Sequence, residues 1–456
     1  VPREAGLALF VAAPADARED RPRLGPGVKT TRMCGFMDES RLAVLRSRLA
    51  EDLNVIWVSG LLAALSMVLA VGTFAWQAPG IGLVGSLGGY VPGWLLVMSS
   101  AGAAAGIGAW LLNPSVVALI MIAFCVLSAA AGVKVIVDQR RQLKSFGVRS
   151  SAKDYFGRLS WSKNGPDDIV TYGPVDGHSP RMAVYMPRTS VAAAPVVVHI
   201  HGGGWTAGSE TIDTAFARHL TDRGFLVFAP TYTLATESFP TWELAPRQIA
   251  CALATARKMS EKYGGSSRHF YVTGGSAGGN LAPLVVNRIA RGESFGHEGE
   301  MPVIKAVAVS IPAVDPGFAE GNPFAISGTL ARHFAQRYTG GTPEEFPERY
   351  AAVSATNFVS QASPPTLLVY GPNDWLVPSQ GILTYAQHAR AMGAAVSAVP
   401  VPWTGHLIGL SGAGSKAIIE LTVNWFEAHS GIGETEEKKA HDELADVAAT
   451  AQDSLG

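Results

Sequence analysis

Gly274-Gly275-Ser276-Ala277-Gly278 stands between a run that reads as a buried strand, Arg268 to Thr273, and one that reads as a helix, Asn280 to Arg291. Strand, G-x-S-x-G, helix is the sequence form of a nucleophile elbow. The small residues have a physical reason. A serine forced onto a sharp strand-to-helix turn takes a strained backbone, and larger neighbours would collide there. Such a turn lifts the hydroxyl above the sheet and points the first amides of the helix at whatever the serine attacks. A chain of 456 residues with 50 glycines produces such pentapeptides by chance. The reading therefore rests on whether the other parts of an acyl-transfer site stand at suitable places.

Acyl transfer needs a nucleophile, a base, a group that holds the base, and donors for the oxyanion. Upstream of the serine, His201-Gly202-Gly203-Gly204-Trp205 directly follows the apolar run Val196 to Ile200. Consecutive glycines after a strand leave bare backbone amides. Gly203 and Gly204, with Ala277 behind the serine, are the candidate oxyanion hole, although a tight turn alone would also use such glycines. Downstream, Asp374 follows the strand-like run Thr366 to Tyr370, and His406 follows Val396 to Val401. Both fall at the carboxyl ends of expected strands, where open α/β sheets place their sites. The order Ser276, Asp374, His406 makes these the candidate nucleophile, orienting acid and base. Asp315 also ends an expected strand and is the alternative acid. Among other histidines, His388 falls in an expected helix, His429 at a helix end and His441 in a charged tail. His199 reads as a packed core histidine rather than a metal ligand.

Around these residues, short apolar runs alternate with helical patterns. Expected strands are Asp168 to Tyr172, Met182 to Met186, Val196 to Ile200, Phe225 to Ala229, Ile304 to Ile311, Thr366 to Tyr370 and Val396 to Val401. Expected helices are Ile212 to Asp222, Trp242 to Tyr263, Leu281 to Arg291, Ser379 to Met392 and Lys416 to His429. The alternation implies an α/β domain at about 165–432, with a mostly parallel sheet covered on both faces. Asp315 to Asn357 interrupts it and reads as a small cap insertion that shapes the substrate pocket. Trp205 is expected to line that pocket.

The first third is different. Leu53 to Val133 contains no Asp, Glu, Lys or Arg. At roughly 20 residues per bilayer span, three spans fit comfortably: Leu53 to Trp76, Trp94 to Leu112 and Val116 to Val137. Ile81 to Tyr90 reads as a further short span or a re-entrant piece. Small residues such as Gly102 and Gly106 suit close helix packing. A short helix is expected at Met37 to Asp52, an unordered tail at 1–36 without a cleavable signal peptide, a linker at 141–164 and a charged tail at 433–456. The chain thus reads as a multi-pass protein of the cell membrane. Arg41, Arg46 and Arg48 precede the spans, and Arg140, Arg141, Lys144 and Arg149 follow them. The positive-inside rule would place both flanks in the cytoplasm, which requires an even number of spans rather than three.

Net charge is −1, and no Lys/Arg-rich block points to nucleic acid. Cys34, Cys125 and Cys251 are far apart, which argues against a disulfide framework or a cysteine metal site. No metal-ligand cluster, P-loop or G-x-G-x-x-G motif is found, so no cofactor or metal is expected.

Residues 165 to 430 resemble the hormone-sensitive-lipase-like carboxylesterases of the α/β-hydrolase superfamily. The resemblance is carried by His201 to Trp205, Tyr232-Thr233-Leu234-Ala235 with Phe239-Pro240, Gly274 to Gly279, Pro364-Pro365-Thr366-Leu367-Leu368, Asp374 and His406. It implies an α/β-hydrolase fold, a Ser276–His406–Asp374 triad and an oxyanion hole of Gly203, Gly204 and Ala277. It also implies cleavage of carboxylic esters through an acyl-enzyme. Gly275 departs from the family, which usually carries an acidic residue there. The Trp205 variant recurs in membrane-attached bacterial esterases, formamidases and prenylcysteine methylesterases. An amidase or acyltransferase with the same triad remains an alternative, as does a silent membrane scaffold.

Overall fold

The computed structural model describes residues 39–78, 80–157, 164–188, 193–296 and 299–430, with side chains from Val55 onward. The expected tails at 1–36 and 433–456 lie outside these residues. Contacts divide the chain into Val1–Glu51 and Asp52–Gly456, and the second unit holds the sheet and the helices that cover it.

The helices α1 (Glu39–Phe74), α4 (Pro92–Leu112) and α5 (Val116–Ser145) frame the N-terminal region. Val55–Phe74, α4 and α5 are each long and apolar enough to cross a membrane. The stretch expected as a short span or re-entrant piece forms two short helices, α2 (Ile81–Gly85) and α3 (Leu87–Tyr90). At 1.5 Å rise per residue, roughly ten residues cover only about half of a hydrocarbon core about 30 Å thick. That length speaks against a span and is compatible with a re-entrant piece; the stretch folds against α1. The Thr73 hydroxyl donates to Gly85 O at 2.8 Å, and a Cβ on Gly85 would fall 2.1 Å from Gly72 Cα. Small residues have the same use between α4 and α5. A Cβ on Gly102 would meet Cys125 Sγ at 2.7 Å, and one on Gly106 would meet Ile122 Cγ1 at 2.8 Å.

Eight strands form one sheet: β1 (Asp168–Thr171), β2 (Arg181–Tyr185), β3 (Ala194–Ile200), β4 (Leu226–Pro230), β5 (Gly265–Gly275), β6 (Ile304–Ser310), β7 (Thr366–Tyr370) and β8 (Val396–Pro400). Their order is β1-β2-β4-β3-β5-β6-β7-β8. β1 and β2 pair antiparallel at one edge, and every pairing from β4 to β8 is parallel. The apolar runs expected as strands are buried on both faces. Val196, Val198 and Ile200 of β3 pack into one core, while Val197 packs into the core on the opposite face. Such a strand has no solvent side, which is why its sequence does not alternate with polar residues.

The covering helices are α6 (Thr214–Thr221), α7 (Leu244–Met259), α8 (Ala277–Ala290), α11 (Ser379–Ala391) and α12 (Gly412–Ala428). Between β6 and β7 the chain forms α9 (Ala325–Thr339) and α10 (Pro347–Val353), flanked by the 3-10 turns Pro316–Ala319 and Ala355–Phe358. These occupy the stretch read as an insertion.

The strand order has a direct consequence. From β3 the chain crosses to β4 on one side, and from β5 it crosses to β6 on the other. β3 and β5 are neighbours, paired from Ala194↔Gly265 to Ile200↔Gly274. Their carboxyl ends therefore flank a crevice from which the connections diverge, the usual location of a site in an open α/β sheet.

Candidate active site

Ser276 stands at this crevice, between the end of β5 and the first residue of α8. Its backbone has φ +53° and ψ −115°, outside the conformations that a residue with a side chain ordinarily adopts. The turn is held by Ser276 N–H donating to Ser310 O at 3.0 Å and by Ala313 N–H donating to Ser276 O at 3.1 Å. Its glycines answer to contact. A Cβ on Gly278 would lie 2.0 Å from Ile200 O, and one on Gly274 would lie 2.4 Å from Gly278 O. The turn thus presses directly onto the end of β3. Gly278→Ala is expected to destabilise the protein by about 3 kcal/mol, the upper end of overpacking costs. A lowered thermal unfolding midpoint of the detergent-solubilised chain measures it, and an unchanged midpoint refutes the close approach. At Gly275 a Cβ would come to 3.3 Å from Ser310 Oγ. The acidic residue common in the resembling family would require Ser310 to give way slightly.

Three side chains predicted from separate parts of the chain lie in one hydrogen-bonded series. Ser276 Oγ is 3.0 Å from His406 Nε2. His406 Nδ1 is 2.9 Å from Asp374 Oδ2. Asp374 is 2% exposed, so its charge is dissipated by partners rather than by water. Its Oδ1 accepts from the amides of Leu376 and Val377 at 2.9 and 2.8 Å. The loops bearing Asp374 and His406 touch, with Asn373 N–H donating to Thr404 O at 2.9 Å. The alternative acid, Asp315, is used differently. Its Oδ1 accepts from Gly317 N–H at 2.9 Å and begins a 3-10 turn.

The glycine loop after β3 lies against the serine. Gly203 and Gly204 adopt φ +112° and +57°, and both line a cavity of about 340 Å³ that reaches Ser276 and His406. A Cβ on Gly204 would strike the Phe334 ring at 2.6 Å. Ala277 opens α8, so its amide has no acceptor within the helix. Trp205 lines the same cavity and stacks on Tyr338, with centroids 4.6 Å apart and planes at 2°. The cavity's other walls are mostly apolar, with Phe318, Leu376 and Ile382 among them and Asp315 at one side. A second cavity of about 340 Å³ leaves Ser276 in another direction, past Ile212, Phe216, Leu407 and Leu410.

The other histidines have separate partners. His201 stacks on Tyr232 at 4.5 Å and bonds through Nδ1 to Gly202 O at 2.7 Å. Burial holds its pKa below the ordinary imidazole value, so at neutral pH it is an uncharged brace for the glycine loop. His199 Nε2 lies 3.0 Å from Asp213 Oδ2. His388 lies in α11, and His429 Nδ1 bonds to Trp425 O at 2.8 Å. His441 lies outside the described residues. Among the described residues no His, Cys, Asp and Glu group has the clustering of a metal site.

Several contributors to this site carry no motif. Phe334 of α9 closes the glycine loop from above. Asn280 donates to Val314 O and Val353 O at 3.3 and 2.9 Å and ties α8 to the stretch between β6 and β7. Tyr90 and Gln139 reach the His406 loop from the N-terminal helices. No signal in the sequence marks Gln139, which stands in the polar run Asp138 to Lys144.

A mostly parallel sheet with helices on both faces, and a strained serine between a central strand and its following helix, define the α/β-hydrolase fold. A family model described as BD-FAE matches residues 182–386. Among similar proteins, "Probable carboxylic ester hydrolase LipM" of Mycobacterium tuberculosis is 26% identical over 259 residues, covering 52% of this chain and 54% of that protein. "Ethyl acetate hydrolase" of Pseudomonas putida is 25% identical over 241 residues, covering 51% of this chain and 72% of that protein. Among solved structures, carboxyl esterase 2 of Tuber melanosporum gives a TM-score of 0.49 at 22% identity, covering 59% of this chain and 89% of that one. The chain spans about half the length of the first relatives it matches, 54%, 55% and 53%. Its fold is that of an α/β-hydrolase, and its similarity to these esterases is carried by the part of the chain that the BD-FAE model matches.

Proposed function

We propose that this chain is a serine hydrolase that cleaves carboxylic esters from a membrane-anchored position. The observation that carries the reading is the continuous series Ser276 Oγ, His406 Nε2, His406 Nδ1, Asp374 Oδ2, with gaps of 3.0 and 2.9 Å, at the junction of two cavities. With the Nδ1 proton donated to Asp374, His406 Nε2 is the acceptor for the serine proton. Ser276 Oγ then attacks the ester carbonyl. The negative charge that develops on the carbonyl oxygen rests on the amides of Gly203, Gly204 and Ala277. His406 returns its proton to the departing alcohol. Water, deprotonated by the same nitrogen, then adds to the acyl carbon, the bond to Ser276 Oγ breaks to release the acid, and His406 returns the proton to Ser276 Oγ. Asp374 steadies the imidazole and the imidazolium that forms.

Each cavity takes one limb of the ester. The one walled by Phe318, Leu376 and Ile382 suits a hydrocarbon chain. The other, where Ile212 and Phe216 stand beside His199, Asp213 and His219, suits a limb of mixed polarity. The esterases among the relatives support the reaction class. The three helices long and apolar enough to cross a membrane support anchoring in a bilayer. Lipophilic esters are the proposed substrate class.

The test is hydrolysis of p-nitrophenyl esters from acetyl to palmitoyl by membranes carrying the full chain or its Ser276→Ala variant. Serine-dependent activity is expected throughout the range that the cavities admit. A peak at short chains defines a carboxylesterase, and one at long chains a lipase fed from the bilayer. Absence of serine-dependent ester cleavage, with cleavage of the matched amides, overturns the reading in favour of an amidase.

A further inference from the structure

Residues 402–407 carry His406 from the end of β8 toward Ser276, and this loop does not support itself. Trp403 has φ +63°, a conformation unfavourable for a bulky residue that persists only where its surroundings impose it. The surroundings come from the N-terminal helices. Gln139 of α5 is fully buried, and its Nε2 donates to Pro402 O at 3.0 Å and to Gly89 O at 2.8 Å. The Trp403 indole N–H donates to Asp138 Oδ2 at 2.8 Å, and its ring meets Phe74 edge-on at 4.6 Å. α3 approaches so closely that a Cβ on Gly89 would lie 1.7 Å from Trp403 O. Tyr90, 3% exposed, ends α3 with its hydroxyl oxygen accepting from Leu407 N–H at 3.4 Å. A Cβ on Gly405 would stand 3.0 Å from that oxygen. The residues on both sides of His406 are thus in contact with Tyr90.

We infer that the N-terminal helices are a working part of the hydrolase, with Gln139 and Tyr90 as positioning residues that hold the His406 loop in register with Ser276 and Asp374. The inference rests on the Ser276–His406–Asp374 reading. It goes beyond a membrane anchor, because an anchor needs only length and hydrophobicity, whereas these contacts are polar, at least partly buried and converge on one loop. Removing either partner leaves a buried carbonyl or amide without its bond, and the loop relaxes to recover one. A small misplacement of a base at a near-attack distance lowers the chemical step by about 10- to 100-fold while leaving the cavity walled by Phe318, Leu376 and Ile382 in place.

The experiment uses the full chain in detergent micelles and compares Gln139→Met, Tyr90→Phe and Ser128→Ala. Ser128 is buried in α5 and bonds only within it, to Phe124 O at 2.8 Å. Ser276 is titrated with a fluorophosphonate, so that kcat is expressed per competent serine and unfolded protein drops out. Gln139→Met and Tyr90→Phe are expected to lower kcat about 10- to 100-fold, to leave KM within about two-fold, and to slow labelling of Ser276 in parallel. Ser128→Ala is expected to keep the parent kcat. A kcat per labelled serine within about two-fold of the parent in both loop variants overturns the inference and leaves the helices as an anchor. Full activity in Ser276→Ala instead overturns the hydrolase reading itself, so the two failures are distinct.

Discussion

His406→Ala is expected to lower kcat for ester hydrolysis by about 10⁶-fold, the scale on which a proposed base of this kind acts. The alcohol of Ser276 ordinarily holds its proton, and His406 Nε2, at 3.0 Å, is the proposed acceptor for it. The neighbouring histidines cannot substitute. His201 is stacked on Tyr232 and bonded to Gly202 O, and His199 is bonded to Asp213. The proposed oxyanion donors and both cavities remain, so residual catalysis over water and a nearly unchanged KM are expected. Steady-state kinetics with a short-chain p-nitrophenyl ester measure both. A kcat within about 100-fold of the parent would mean that another group removes the serine proton, and the proposed roles would have to be reassigned.

Asp374→Asn tests a subtler requirement, and the surrounding bonds dictate its outcome. Oδ1 accepts from the amides of Leu376 and Val377 at 2.9 and 2.8 Å, so the asparagine must keep its carbonyl oxygen there. Its NH₂ then faces His406 Nδ1, where the carboxylate oxygen stood at 2.9 Å. A donor at that position makes Nδ1 the acceptor and moves the ring proton to Nε2, which can no longer accept from Ser276. The fold and the bonds to the two amides persist. kcat is expected to drop by about 10⁴-fold with an unfolding midpoint close to that of the parent. If instead the midpoint collapses while kcat per folded molecule is retained, Asp374 is a structural residue and not the orienting group.

The two substitutions separate what a residue does from what holds it. In the proposed mechanism His406 acts through its own nitrogen, Asp374 by fixing which nitrogen carries the proton, and Gln139 and Tyr90, one step further out, by fixing where the ring stands. Each layer is expected to cost less than the one inside it, from about 10⁶ through about 10⁴ to about 10- to 100-fold.

The parallel sheet was legible because strands buried on both faces leave a signature that little else produces. Val196 to Ile200 and Thr366 to Tyr370 are continuous apolar runs, and each ends in a polar or glycine-rich turn. The elbow was legible because a serine at φ +53° admits few neighbours, and Gly274 and Gly278 are required by contacts of 2.4 and 2.0 Å. Asp374 and His406 could be singled out because each follows a strand by a few residues, and strand ends in such a sheet converge. Local sequence therefore determined the strands, the turn and the candidate chemical groups.

The chain's ends of helices and its long-range supports were less legible. Ile81 to Tyr90 has the composition of a membrane segment, yet it folds against α1 and reaches the His406 loop. Its apolar residues report burial without reporting what buries them. Gln139 lies in a charged, basic stretch where a glutamine is unremarked, and its two carbonyl partners are 50 and 263 residues away. Phe334 covers the glycine loop from a helix with no periodicity to indicate it. Sequence patterns record the free energy that each residue gains from its own environment, and that gain is similar for any apolar neighbour or any carbonyl. Which neighbour it is depends on how distant segments pack. For this reason the candidate reactive groups were decided by the sequence itself, and the scaffold that holds them within bonding distance was decided only by the tertiary structure.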